Sequence, residues 1–234
     1  MDVQYVFKAI PVILKGLPNT LLLTFFSMIV GLVLGFLLAL VRLKRIPVLS
    51  QAATVFISFI RGVPLYVLIF LSYYTLPLLL KRVLANFGIV IKATDISAMS
   101  VALICFTLFT SVYLSEVVRG ALLSVNMGQM EAAYSIGMTE LRAYIHIIIP
   151  QAVISAIPNY ANLFVLVLKS TSLVFAISVA DIMAVAKTEA EFSFHYLECY
   201  GIVAGIYLIL CILLSVGFKR LEVHFKSRMS LFQG

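Results

Sequence analysis

The sequence predicts an all-α integral membrane protein, a single transmembrane domain over residues 1–234 with about five membrane-spanning helices. Three observations point there. The chain is 63% hydrophobic and 12% charged, with a mean hydropathy of +1.13, whereas soluble domains carry roughly 45–50% apolar and about 25% charged residues. The apolar residues gather into five runs, each near the roughly 20 residues that cross a bilayer. Basic residues such as Arg42, Lys44, Arg45, Lys219 and Arg220 close two of the runs, as they do where a span ends at the cytoplasmic face.

The same composition excludes other classes. The net charge of +7 reflects retained cytoplasmic loops, not nucleic-acid affinity, because no basic run is interleaved with stacking aromatics. Cys105, Cys199 and Cys211 are scattered, without metal or redox spacing, so no metal is expected. No G-x-x-x-x-G-K-[ST] stretch occurs to cradle nucleotide phosphates.

The N-terminus has no basic signal-peptide start, and its first apolar run is too long for one. Val3, Phe7, Ile10 and Leu14 share one face, with Lys8 and Lys15 elsewhere. That pattern suits a helix lying along the bilayer surface, although Pro11 opposes it. Span one, 21–41, is free of charge and holds Gly31 and Gly35 four apart, a spacing that lets helix backbones approach closely. A second apolar stretch, 52–80, is interrupted at Arg61-Gly62-Val63-Pro64, and its charge-free part, 62–80, is long enough to cross alone. Span three covers 96–115 and ends in Glu116 and Arg119, placed to pair on one helix face. The fourth apolar stretch begins near 147 and gives a span over 152–180, with Pro158 and Lys169 inside it. The fifth covers 200–218 and ends in Lys219-Arg220. The terminal Leu231-Phe232-Gln233-Gly234 reads as an expression remnant on which nothing depends.

Five spans put the termini on opposite sides. With the C-terminus inside, nine basic residues are cytoplasmic (Arg42, Lys44, Arg45, Arg119, Arg142, Lys219, Arg220, Lys226, Arg228). Six are outside (Lys8, Lys15, Lys81, Arg82, Lys92, Lys187). The bias favours N-terminus out and C-terminus in, which puts the interval 120–150 in the cytoplasm.

That interval is polar and punctuated by glycine. It contains Gly128-Gln129-Met130-Glu131-Ala132-Ala133, then Gly137, Ile147 and Pro150. Tyr134, Met138, Leu141 and Ile145 recur at helical spacing, predicting a helix with an apolar face. Glu131 stands near its start, where the helix dipole favours a carboxylate. Ala132 and Ala133 keep that end slim enough for another protein to approach, and Gly137 removes a side chain one turn later. Glu-Ala-Ala alone would suit an ordinary loop helix packed on its own subunit; the full spacing is more specific.

Flanking segments extend the pattern. Tyr113-Leu-Ser-Glu116-Val-Val-Arg119-Gly120-Ala121, Ser124-Val125 and Gly128-Gln129 precede it. Pro150-Gln151-Ala152, Pro158, Asn162 and Lys169-Ser-Thr171-Ser172-Leu173 follow it, with Arg61-Gly62-Val63-Pro64-Leu65 and Gly16-Leu-Pro-Asn-Thr20-Leu21 upstream. Over about residues 16–220 the chain resembles the permease subunits of ATP-binding-cassette importers for polar amino acids, of the histidine, glutamine and cystine permease type. Met127, Ser170, Ser178 and Asp181 depart from that pattern, which commonly has a basic residue, aspartate, glycine and glutamate there; Ile149 replaces a leucine. The Ser170 change bears on the outer gate or the ligand site.

The resemblance implies a type I importer permease fold in a bacterial cytoplasmic (inner) membrane. It implies a cytoplasmic coupling helix between spans three and four that docks into a partner ATPase. Gly128, Gln129, Glu131, Ala132, Ala133, Gly137 and Pro150 are then the coupling residues. The implied partners are two ATPase subunits, a second copy of this chain or a similar permease, an extracytoplasmic amino-acid-binding protein and membrane lipid. The chain would bind no cofactor and catalyse no reaction itself, with ATP and Mg held on the partner ATPase. Lys187, Glu189, Glu191 and Glu198 make the last outer segment polar, where a loaded binding protein would dock.

Candidates for the substrate path follow from polar groups inside the spans. A charge at mid-membrane costs about 2.5–3.5 kcal/mol even on permissive scales. Arg61 is placed to bind a carboxylate, or else caps the span at the cytoplasmic surface. Lys169 either serves a gate or snorkels outward. Pro158 disturbs the span-four helix, and carbonyls freed within a membrane need protein or a water-filled cavity. Asn159, Asn162, Ser170, Thr171 and Ser172 add hydrogen-bonding groups there, as do Thr107, Thr110, Ser111 and Tyr113 in span three. Singly, such hydroxyls tend to bond their own helix or a neighbour. Spans one, two and four have no Asp or Glu at their centres, and residue 163 is leucine. A neutral or zwitterionic cargo such as cystine or glutamine is therefore expected over arginine or lysine.

Two other readings compete. An ion-coupled secondary amino-acid carrier would show internal repeats and more spans, and the loop would have no purpose in it. A membrane anchor or sensor would bind an ATPase through the same loop without ATP-dependent flux.

Overall fold

The computed structural model describes residues 2–90 and 92–230, so the terminal Leu231-Phe232-Gln233-Gly234 lies outside the described residues. Helices α1 (Val3–Ile13) and α2 (Leu17–Leu43) run almost continuously through a 3₁₀ turn at Leu14–Gly16. Helices α3 (Leu49–Gly62), α4 (Leu65–Ala85) and α5 (Ala98–Leu123) follow. The interval before the fourth span holds α6 (Gly128–Ser135), α7 (Glu140–Ala143) and one π turn, Tyr144–Ile148. Then come α8 (Ile149–Ser170), a 3₁₀ segment Thr171–Ile177, α9 (Ile182–Ser193) and α10 (Tyr196–Ser230). Among the described residues, five helical stretches are long and apolar enough to cross a membrane: Val3–Leu43, Leu65–Ala85, Ala98–Leu123, Glu140–Ile177 and Tyr196–Ser227.

The main seam joins α2 to α5, and small residues make it. A Cβ on Gly35 would fall 2.7 Å from the Ser111 carbonyl oxygen and 2.9 Å from the Leu114 Cβ; one on Gly31 would meet the Thr110 side chain. The Gly31/Gly35 spacing is thus used within the subunit. Around the seam, Leu23, Met28, Phe106, Val112, Leu163 and Val167 form the principal core. A second cluster binds α1 to α9 and α10 through Ala9, Ile13, Ile182, Ala186 and Cys199. A third holds the α6–α7 interval onto α5 and α8.

Several sequence expectations need correction. The N-terminal helix buries Ala9 and Ile13 against α9 and α10 and leaves Val3, Phe7 and Leu14 of the expected apolar face exposed. The first span starts at Leu17, because Pro18 in the first turn suits a helix start. The second begins at Leu65, after Pro64 interrupts the helical path at Val63. The third continues past Glu116 to Leu123. The fourth gives way to 3₁₀ geometry at Thr171 and stops at Ser178, whose φ of 63° is left-handed. Helix α10, which contains the stretch 200–218, is 35 residues long, about 52 Å at 1.5 Å per residue.

Candidate functional site

The interval 120–150 is not one helix. Helix α6 ends in a Schellman arrangement: the Met138 N–H donates to the Ala133 carbonyl at 3.0 Å and the Gly137 N–H to the Tyr134 carbonyl at 2.9 Å. The residue between must be left-handed, and Gly137 has φ 78°. A Cβ there would meet nothing within 4 Å. Gly137 is therefore needed for its backbone conformation, not, as its position in a continuous helix would suggest, for slimness. The chain turns at this point, and the expected stripe of Tyr134, Met138, Leu141 and Ile145 is broken.

What replaces the stripe is a two-sided platform. On the inner side Met130, Ala133, Ala143 and Ile148 are buried with Ala121, Val125 and Ala152, and Met138 is half-buried against them. On the outer side Glu131, Ala132, Tyr134, Ile136, Leu141 and Ile145 are exposed, with Ile136 at 77% and Leu141 at 70%. Asn126 starts the platform by accepting the Gly128 N–H at 2.8 Å. Gln129 and Gly128 are exposed on its first turn, and Pro150 is exposed in the first turn of α8. A carboxylate ringed by exposed aliphatic and aromatic side chains can dock in a partner's groove; it has no arrangement for chemistry of its own.

The platform is tied to the spans through charge. Glu116 accepts from the Arg119 Nε and Nη2 at 3.0 and 2.9 Å, as the spacing predicted, and also from Arg42 on α2. The Arg42 contact joins the C-terminal end of α2 to α5, and nothing in the linear sequence announced it.

The substrate-path candidates separate into groups. Asn159, Asn162 and Lys169 are exposed along one face of α8, as their spacing requires. Ser170 and Ser172 are half-buried, each bonded to its own helix at Leu166 and Lys169. Thr171 is buried; its hydroxyl donates to Leu168 and lies 3.4 Å from the Tyr207 hydroxyl. Thr107, Thr110 and Ser111 are buried in α5, and Thr110 and Ser111 lie on the α2–α5 seam. Thr110 donates across it to the Ser27 carbonyl at 2.7 Å, Ser111 to Leu108, and the Thr107 hydroxyl has no partner among the described residues. Arg61 is exposed at the end of α3, its guanidinium 5.9 Å from the centre of the Tyr113 ring.

Sequence reasoning missed one junction. Asn19 donates to the Ala180 carbonyl at 2.8 Å, and the Thr20 hydroxyl accepts the Ile182 N–H at 3.2 Å. Asp181 caps α9 by accepting from the Ala184 and Met183 N–H groups at 2.8 and 3.2 Å, and the Tyr207 hydroxyl donates to it at 3.3 Å. Asp181 is fully buried, and burial pushes its carboxyl up to about 6 despite those bonds. The residues Gly16, Asn19, Thr20 and Asp181 had all been noted; that they meet is a fact of topology, which one sequence does not carry. Around α9, Lys187 pairs with Glu191 at 3.8 Å, while Tyr5 donates to Glu189 at 2.9 Å and the Asp2 N–H to Glu198 at 3.0 Å.

Comparison with known proteins places this architecture. Residues 31–224 match the family described as binding-protein-dependent transport system inner membrane component. The chain is 39% identical over 216 residues to the probable amino-acid permease protein YxeN of Bacillus subtilis (strain 168), covering 92% of each chain. It is 34% identical over 230 residues to the L-cystine transport system permease protein TcyL of the same organism, covering 98% of this chain and 93% of that one. Among solved structures, a chain of an amino acid ABC transporter superposes with a TM-score of 0.80 at 31% identity, over 96% of this chain and 99% of that one. The MetNI methionine ABC transporter in an inward-facing conformation superposes at 0.69 with 16% identity, over 96% and 99% of the two chains, a likeness of fold.

Proposed function

Since the chain belongs to the family of binding-protein-dependent transport system inner membrane components, as a multi-pass permease subunit, we propose that it imports a polar amino acid with ATP hydrolysed on a partner subunit. The observation that carries this reading is the platform around Glu131. Its inner side is fixed to α5 and α8, and its outer side leaves Ala132, Tyr134, Ile136, Leu141 and Ile145 uncovered. A rigid base under an exposed apolar face suits a joint that transmits a partner's motion to two spans at once.

The mechanism is alternating access. Two copies of this chain, or this chain and a similar permease, enclose the path, and two ATPase subunits carrying ATP and Mg close beneath them. Their closure moves Gly128–Ser135, and with it the inner ends of α5 and α8. The N-terminus is outside and the C-terminus inside, so a loaded amino-acid-binding protein meets the segment around Lys187 and Glu191. Asn159, Asn162 and Lys169 face the path from α8, and Arg61 offers a cation for the cargo's carboxylate.

The cargo is neutral or zwitterionic. Helices α2, α4 and α8 contain no Asp or Glu, and the Glu116 carboxylate in α5 is occupied by two arginines. A cationic side chain would find no free carboxylate in these spans. Two relatives carry names of this class, the L-cystine permease and a probable glutamine permease, GlnM, of Bacillus subtilis (strain 168), 34% and 33% identical, while the octopine permease OccM of Rhizobium radiobacter, 35% identical, is named for a guanidino compound. The test is competition for ATP-driven uptake in proteoliposomes holding the full complex. Cystine or glutamine should compete; competition dominated by arginine would overturn the cargo class while leaving the transport reading intact.

A further inference from the structure

Between the end of α2 and the first turns of α3 the chain surrounds a polar groove of about 610 Å³. Arg42 and Arg45 line it, and Ser50, Gln51 and Thr54 supply neutral hydrogen-bonding groups. No acidic residue occurs from 42 to 62. Among the described residues, the one carboxylate that reaches Arg42, Glu116, is shared with Arg119. Arg42 meets it through Nη1, which leaves the other donors of its planar fork for a second acceptor. Arg45 is exposed and has no carboxylate partner among the described residues.

The backbone of this turn is strained. Arg45 has φ 48°, and Val48, with φ 65° and ψ −54°, is the centre of a tight γ-turn in which the Leu49 N–H donates to the Pro47 carbonyl at 2.7 Å, a strained conformation for a β-branched residue. Such conformations persist where surrounding contacts over-determine them, and they cluster at ligand clamps and switch regions. Ile46, Pro47 and Val48 form an apolar wall beside the two guanidiniums. Cations that can grip an anion bidentately, next to an apolar wall at the end of a span, match the chemistry of a phosphodiester carried on glycerol and hydrocarbon.

We propose that this groove binds a phosphate group, supplied by the headgroup of an anionic phospholipid of the inner leaflet. The proposal rests on the orientation given above, which places residues 42–54 inside, where the leaflet is anionic. A lipid held there would sit against the Arg42–Glu116 contact and brace the inner ends of α2 and α5. Each cation close to an anionic leaflet strengthens attachment about fivefold.

The test is native mass spectrometry of the full chain, purified in detergent with equal phosphatidylglycerol and phosphatidylcholine. The unaltered protein should retain phosphatidylglycerol in preference. Arg45→Gln should cut that preference about fivefold, Arg45→Lys should cut it less, because it keeps the charge and loses the planar fork, and Arg220→Gln, a basic residue elsewhere on the inner side, should leave it unchanged. Equal retention by the unaltered protein and Arg45→Gln would overturn the site. Release of the lipid by millimolar inorganic phosphate would overturn the lipid as the source and assign the groove to a soluble phosphate. Maleimide labelling of Arg45→Cys from outside intact cells would overturn the orientation alone, since lipid binding in detergent would persist.

Discussion

Gly16 lies against the main chain of Asp181: a Cβ on residue 16 would fall 2.5 Å from the Ile182 nitrogen and closer still to the Asp181 carbonyl. Backbone atoms have no rotamer with which to yield. The start of α2 and the start of α9 therefore touch main chain to main chain, and Asn19 and Thr20 complete the seam with hydrogen bonds to Ala180 and Ile182.

Gly16→Ala should force the two elements apart. Overpacking typically costs about 1–3 kcal/mol, read as a fall in the melting temperature of the purified protein. Gly62→Ala is the control, because a Cβ there meets nothing within 4 Å, and it should be neutral or slightly stabilising.

Gly31→Ala should act similarly on the α2–α5 seam, where the new Cβ would meet the Thr110 side chain and lie 3.3 Å from the Ser111 nitrogen. Because Thr110 also donates to Ser27 across this seam, its side chain gives way only by losing a buried hydrogen bond worth about 1 kcal/mol. Melting curves of Gly31→Ala, Thr110→Val and the double variant should show losses smaller together than their sum, as contacting residues do.

Asp181 makes the fold pH-dependent with a definite sign. Its carboxyl is raised from an ordinary 3.8 to about 6 by burial, so between those values the folded chain binds more protons than the unfolded one. Stability from this group is complete below pH 3.8 and is lost as pH rises through 6, by at most about 3 kcal/mol. Asn also caps helices well. Asp181→Asn should therefore match or exceed the unaltered protein at pH 7.5 and lose that relative advantage by pH 4, as measured by denaturation at the two pH values.

Gly137 should be replaceable by residues that tolerate a left-handed backbone. Asn does so readily and a β-branched residue does not. Gly137→Asn should therefore preserve most binding-protein-stimulated ATPase activity of the reconstituted complex. Gly137→Val should lose much of it, with about 1–2 kcal/mol of backbone strain in the turn. Membrane abundance should be unchanged for both.

How far these features were legible depends on the range of the interaction. Five spans were legible because hydropathy is a local property, and so were the Gly31/Gly35 approach and the Glu116–Arg119 pair, each set by spacing on one helix. Helix ends were less so: Ser178 stops the fourth span through a left-handed backbone angle that its residue type does not announce. The Tyr134–Ile145 stripe misled because helical spacing persists across a turn, and the left-handed Gly137 with the extended Thr139 separates α6 from α7. Hydroxyls at 107, 110 and 111 signalled polarity but not direction, and the fold turns residues 110 and 111 into the α2 seam. Arg42–Glu116 and Tyr207–Asp181 join residues 74 and 26 apart in sequence. Such pairs depend on how the helices pack.

The central claim is that the platform around Glu131 couples a partner's ATP hydrolysis to movement of an amino acid. It is tested most directly by measuring ATP hydrolysis and uptake of labelled cystine, glutamine, arginine and glutamate in the same proteoliposomes, with this chain, its ATPase and its binding protein. The account predicts ATP-driven uptake of one of these amino acids, abolished by Glu131→Lys while the altered chain stays in the membrane. Uptake that survives Glu131→Lys undiminished, with hydrolysis still coupled to it, would contradict it.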